Sequence, residues 1–203
     1  MTMRLVVGLG NPGQEYSRTR HNMGFAVIAR LGEQLRSRPP RRIQQSLVAE
    51  VQWAGMKLVL AQPLTYMNLS GKAVAGLLAA YRLPLEQLLV VCDDIDLPLG
   101  SLRLRGQGGA GGHRGLESII EMLQSKQFAR LRIGVGKPAG GKKEVRDFVL
   151  DTFTEEELPF VAWAEEQSAR GVLIWAKRGL PTAMNEVNTW KPPDPGGEET
   201  GGD

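Results

Sequence analysis

Apolar residues along this chain recur at two different periods, and the switches between those periods lay out strands and helices. An apolar run over Arg4–Leu9 predicts an opening strand, and Val27, Ile28, Leu31 and Leu35 then recur at the spacing of one helical face. Leu47–Trp53 and Met56–Gln62 read as two strands joined at Ala54-Gly55 in a hairpin. Ala73, Val74, Leu77, Leu78 and Tyr81 mark a second helix that Pro84 closes, with Asn68 or Ser70 as its candidate cap. The unbroken apolar run Leu88–Cys92 suits a strand buried on both faces, and it ends in Asp93-Asp94-Ile-Asp96-Leu-Pro-Leu-Gly100.

In the second half the period of two returns. Ser101–Arg105 and Arg130–Val135 alternate apolar residues with Arg103, Arg105, Arg130 and Arg132, which predicts strands with the arginines outside, forming a basic stripe. Between them the glycine-rich stretch Gly106–Gly115 feeds a helix marked by Leu116, Ile119, Ile120 and Leu123, an arrangement that offers backbone N–H groups to an anion. Gly136–Arg146 reads as a loop, Thr154 as the cap of a long helix with Leu158, Val161, Val172 and Ala176 inside, and Thr182–Asn188 as a last short helix. Strands interleaved with helices give an α/β fold: a single domain over residues 1–190, built as a twisted mixed β-sheet flanked by helices. The Pro/Gly/Glu composition of residues 191–203 predicts a disordered acidic tail.

Composition narrows the function classes. At 203 residues and 42% hydrophobic content the chain has enough apolar surface for one well-buried domain. No apolar run reaches the length of a membrane span, and Met1-Thr2-Met3-Arg4 leads into a strand without a signal-like segment, so a cytoplasmic protein is expected. A single cysteine, Cys92, rules out an internal disulfide and a cysteine-based zinc site. The net charge is +3, but the last ten residues hold four acidic and no basic groups, leaving +7 on residues 1–193. That basic body is compatible with nucleic acid and equally with a solvated surface.

Candidate chemistry concentrates just after the first strand, where Gly8-Leu-Gly10-Asn11-Pro-Gly13 precedes Tyr16, His21 and Asn22. The spelling Gly8-x-Gly10-x-x-Gly13 invites a dinucleotide reading, but Pro12 and Gly13 favour a turn and the next helix begins only after His21. Asp93, Asp94 and Asp96 are open to two readings, a turn cluster or a magnesium site. Ser70 lacks the G-x-S-x-G elbow of a serine nucleophile.

Several blocks, in order, carry a resemblance. Gly8-Leu-Gly-Asn-Pro-Gly13, Thr19-Arg-His-Asn22-x-Gly24, Pro63-x-Thr-Tyr-Met67-Asn68-x-Ser70-Gly71, Asp93-Asp94-x-Asp96-Leu-Pro-x-Gly100 and Gly111-Gly-His113-x-Gly115 resemble the bacterial-type peptidyl-tRNA hydrolases over roughly residues 4–188. The resemblance implies cleavage of the ester joining a peptide to tRNA, recycling tRNA from peptides that ribosomes release prematurely, by a cytoplasmic monomer that needs no metal or other cofactor. It implies His21 as catalytic base, Asp93 as its carboxylate partner, and Asn11, Met67 and Asn68 as residues that place water and the peptide. Tyr16, His113 and Arg114 are further expected substrate contacts. Arg105 and Arg132 fall where the family holds the tRNA 5′-phosphate, with Arg103, Lys142 and Lys143 as supporting tRNA contacts. The chain departs from the family at Arg114, where many members carry asparagine; arginine donates hydrogen bonds but accepts none. The rival expectation is a non-catalytic RNA-binding member of the same fold, since the family includes organellar relatives that serve splicing.

Overall fold

A computed structural model describes residues 2–138 and 144–194. Seven strands form one mixed sheet in the order β2-β3-β4-β1-β5-β7-β6: β1 Met3–Gly8, β2 Arg41–Ile43, β3 Ser46–Trp53, β4 Met56–Pro63, β5 Leu88–Asp94, β6 Leu102–Arg105 and β7 Ala129–Gly134. The four central strands β4, β1, β5 and β7 run parallel, and antiparallel β2, β3 and β6 extend the two edges. The helices are α1 Met23–Gln34, α2 Ser70–Tyr81, α3 Arg114–Leu123, α4 Val145–Val149, α5 Leu158–Arg178 and α6 Leu180–Val187.

Because successive strand residues face opposite sides, the central strands serve two cores at once. Val6, Leu58, Leu60, Val91, Leu131 and Ile133 pack with α1, α5 and α6. Leu5, Val7, Val59, Ala61, Val90 and Cys92 pack on the other side with α2 and α3. The chain therefore leaves β1 toward one face and β4 toward the other. Such a divergence opens a crevice at the carboxyl ends of parallel strands.

Most predicted elements stand within a residue or two of their expected bounds, with four differences. Arg41–Ile43 forms an edge strand inside a segment whose arginines and prolines masked any period. Neither Asn68 nor Ser70 caps α2: Asn68 lies in a 3-10 turn, the N-cap is Leu69, and the Ser70 hydroxyl donates back to the Met67 carbonyl at 2.7 Å. Arg146 belongs to α4 rather than to a loop. The fourth difference is Arg130, which is 1% exposed instead of outside. Its guanidinium is consumed by the carbonyls of Gly108, Gly109, Lys126 and Phe128, so it braces the glycine-rich loop. Lys142, Lys143 and residues 195–203 of the tail lie outside the described residues.

Glycines set how closely the crevice walls approach. A Cβ on Gly24 would stand 2.3 Å from the Leu9 backbone nitrogen and 2.5 Å from the Val91 carbonyl oxygen. The start of α1 therefore rests directly on the backbone that leaves β1 and on the middle of β5. Gly24→Ala is expected to lower stability by at least about 2 kcal/mol, since neither backbone can yield. Gly109→Ala, where an added methyl meets nothing within 4 Å, should leave the urea midpoint unchanged.

Candidate active site

Three separate segments converge on one carboxylate. Asp93 is the penultimate residue of β5 and is 2% exposed. His21 reaches it from the 3-10 turn Arg20–Asn22 ahead of α1, with Nδ1 at 2.8 and 2.9 Å from the two carboxylate oxygens. His113 reaches it from the start of α3, with Nε2 at 3.0 Å from Oδ1. Burial alone would raise the Asp93 pKa, but the two imidazoles and their hydrogen bonds hold it well below the usual carboxylate range.

Hydrogen bonding assigns the ring protons. The His113 Nδ1 accepts from the backbone N–H groups of Gly115 at 3.1 Å and Leu116 at 3.3 Å, capping α3. Its proton must then sit on Nε2 and point at Asp93. Likewise His21 donates from Nδ1 to the carboxylate, which leaves its Nε2 as a lone pair. The His21 ring lines the central cavity, and no hydrogen bond is made by that Nε2 among the described residues. Since the helix N–H groups already serve His113, the anion site expected at this glycine-rich helix start is filled by an imidazole.

The cavity, about 640 Å³, is lined by every expected substrate and catalytic residue: Asn11, Tyr16, His21, Met67, Asn68, Asp93, His113 and Arg114. Asn11 is oriented by its own network. Its Oδ1 accepts from the Met67 N–H at 2.9 Å, while its backbone exchanges two hydrogen bonds with the amide of Asn22 at 2.9 and 3.0 Å. This arrangement leaves the Asn11 Nδ2 as a donor on the cavity side. Asn22 is thus a support residue, and its signal in the sequence was only its place beside His21. Asn68 is exposed at the cavity rim and, freed of helix capping, presents its whole amide there. Also missed was the apolar wall formed by Val145, Val149 and Leu150: the loop assignment over Gly136–Arg146 covers Val145, and no element is assigned to Val149 and Leu150.

His113 lines the cavity with both ring nitrogens engaged, so it holds Asp93 rather than substrate. Arg114 follows it as an exposed residue at the rim. The three aspartates part company. Asp94 accepts from the Asp96 N–H at 2.9 Å and lies 3.0 Å from the Arg132 Nε, an ion pair not aligned as a hydrogen bond. Asp96 pairs at 2.8 Å with Lys137, so the carboxylates do not converge on a common magnesium position. Arg103 and Arg105 are exposed and have no ion-pair partner among the described residues.

His21, Asp93 and His113 do bring three potential metal-ligand atoms within 4.8 Å of one another. A metal on the His113 Nε2 would force the ring proton to Nδ1, against two backbone N–H groups. The donor set therefore fits a hydrogen-bonded triad better than a metal centre. Burial and the neighbouring carboxylates also push the Cys92 thiol up, removing it as a nucleophile.

Comparison with known proteins bears on what this triad serves. The sequence profile of the family described as peptidyl-tRNA hydrolase matches residues 5–194. The chain belongs to the peptidyl-tRNA hydrolase family. The peptidyl-tRNA hydrolase of Syntrophomonas wolfei is 45% identical over 186 residues, covering 92% of this chain and all of that protein. That of Aquifex aeolicus is 48% identical, covering 84% of this chain and 88% of its own. Among solved structures, the peptidyl-tRNA hydrolase of Acinetobacter baumannii superposes with a TM-score of 0.88 at 34% identity, covering 94% of this chain and 97% of that one. No helix among the described residues is long and apolar enough to cross a membrane.

The depressed Asp93 pKa has a consequence for stability in acid. A carboxyl held below its unfolded value stabilises the fold above that value, about 3.9 for aspartate, and the contribution is lost as pH falls through the folded pKa. Asp93→Asn is expected to be less stable than wild type at pH 7 and to show a flatter dependence of the urea midpoint on pH between about 5 and 2. Parallel curves for the two proteins would contradict the charged, doubly bonded Asp93.

Proposed function

We propose that this chain, a peptidyl-tRNA hydrolase, cleaves the ester between peptide and tRNA by general-base attack of water, with His21 as the base. The observation that carries this reading is the His21 ring held through Nδ1 by Asp93, its other nitrogen unpartnered beside the cavity. Water loses a proton to Nε2 as its oxygen adds to the ester carbonyl, and Asp93 stabilises the imidazolium that results. The Asn11 Nδ2 and the amide of Asn68 donate to the carbonyl oxygen as it gains negative charge. Collapse of the tetrahedral intermediate breaks the bond to the ribose oxygen, which takes its proton back from His21. The alcohol leaving group and the donor set of the site require no metal for these steps.

Tyr16 and Met67, both on the cavity wall, contact the acyl portion. Arg103 and Arg105, with Arg132 behind them, take the tRNA phosphate; Lys142 and Lys143 add charge on the same account. Arg114, which can only donate, meets RNA phosphate at the rim rather than ordering water. Residues 1–190 form the catalytic unit, acting as a cytoplasmic monomer in the rescue of tRNA during translation.

Two experiments separate chemistry from binding. His21→Ala should lower kcat for N-acetyl-aminoacyl-tRNA by about 10²–10⁴-fold with tRNA affinity retained, and a chelator should not slow the wild type. Undiminished turnover in the mutant would remove His21 from its role. Arg105→Ala should weaken tRNA binding and reduce the magnitude of the salt slope, log K against log salt, by about one; an unchanged slope would take this arginine out of the phosphate contact.

A further inference from the structure

Beside the base stands a charged residue that the chemistry above does not use. Arg20 immediately precedes His21 in the same 3-10 turn and is 5% exposed. Its guanidinium forms a two-pronged ion pair with Glu157, Nη1 to Oε1 at 3.0 Å and Nη2 to Oε2 at 2.7 Å, and Nη1 reaches the Val135 carbonyl at 3.3 Å. Two aromatic rings flank it, Phe148 at 4.4 Å and Phe153 at 4.6 Å. The backbone repeats the link: the Arg20 N–H donates to the Asp151 carbonyl at 3.0 Å, and Thr19 bridges Thr152.

Everything Arg20 grips, apart from Val135, belongs to residues 148–157, and α4 begins that stretch. Phe148 and Val149 are the buried residues of α4, and Val149 joins Val145 and Leu150 in the apolar wall of the cavity. A helix of five residues has no stability of its own and takes its place from what it packs on. Glu157 supplies a fixed point, because the same carboxylate that grips Arg20 accepts from the Thr154 N–H at 2.8 Å at the entry to α5. Those bonds hold the Glu157 carboxyl below its ordinary range against the burial that would raise it.

We infer that Arg20 is a positioning residue that fixes the α4 wall against the turn carrying His21, and that it thereby sets which acyl groups the cavity accepts. The inference rests on the reading of His21 as base and of this cavity as the acyl site. A planar fork that bonds one carboxylate twice while stacking between two rings suits arginine and not lysine. With the wall in place, a bulky apolar acyl group is enclosed by Val145, Val149 and Leu150 next to the base. When the wall is loosened, a large acyl group loses contacts that a small one never made.

The test compares kcat/KM for N-acetyl-phenylalanyl-tRNA and N-acetyl-glycyl-tRNA in wild type, R20K, R20M and E157Q, with H21A as a control. In R20M and E157Q the phenylalanyl-to-glycyl ratio should fall about five- to tenfold, chiefly through KM, with the pH midpoint of kcat unmoved. R20K should fall in the same direction. A brace that only supports the fold would lower both substrates equally, so an unchanged ratio in variants that melt as folded proteins overturns the inference. Should R20M fail to fold, E157Q decides, since it keeps the size of the side chain and an acceptor for the Thr154 N–H. Full activity in H21A would instead bring down the reading of the site itself, and the inference with it.

Discussion

The buried carboxylate of Asp93 is the constraint around which this molecule is arranged. A charge removed from water is tolerable only when its lone pairs are met, and here they are met by His21 from one segment and His113 from another. Neither histidine is near Asp93 in sequence, so β5, the turn ahead of α1 and the start of α3 must all arrive together. The close approach of Gly24 to Leu9 and Val91 is what allows the first of these to come within reach. A comparable contact serves the other side, where a Cβ on Gly71 would stand 2.1 Å from the Ser118 carbonyl oxygen and α2 lies directly on α3.

Two imidazoles share one carboxylate, yet their environments assign them different work. His113 is buried with both nitrogens engaged, one by the carboxylate and one by the N-terminal amides of α3. His21 has one engaged nitrogen and a side chain 12% exposed on the cavity. The α3 amides donate to His113, and His113 and His21 each donate to Asp93 from opposite sides, so the carboxylate accepts both ring protons and fixes the tautomer of each imidazole. The lone pair on the His21 Nε2 is thereby aimed before substrate arrives. Preorganisation of this kind presents a ring nitrogen of fixed orientation to the cavity.

Much of this was legible in the sequence, and the failures have physical causes. Strands β1, β3, β4 and β5 and helices α1, α2, α3 and α5 follow from periodicity because their apolar faces are long enough for packing to dominate. β2 and α4 are three and five residues long and take their conformation from neighbours, so no local pattern announces them. His21, Asn11, Asn68 and Asp93 could be named from motif blocks, and their gathering round one cavity follows from the parallel strand order. The cap formed by His113 was not legible, since capping is normally the duty of Ser, Thr, Asp or Asn. Nor was Asn22, whose bonds go to the backbone of Asn11 and depend on a contact eleven residues away.

The arginine strands show why alternation gives a side of the sheet but not an exposure. Cross-strand register pairs Arg103 with Arg132 and Arg105 with Arg130, placing all four on one face as the period predicts. Their fates then diverge with what lies beside each. Arg130 meets a cluster of carbonyls from the glycine-rich loop and is consumed by them, while Arg132 meets Asp94. Only the edge strand keeps two arginines with no competing protein partner among the described residues, and a phosphate group competes best for charges that the protein has not already used. The same face thus splits into an inner pair engaged by Asp94 and by carbonyls of the glycine-rich loop leading to His113, and an outer pair with no ion-pair partner among the described residues, so one repeating pattern supplies both a brace for the site and an uncommitted positive edge.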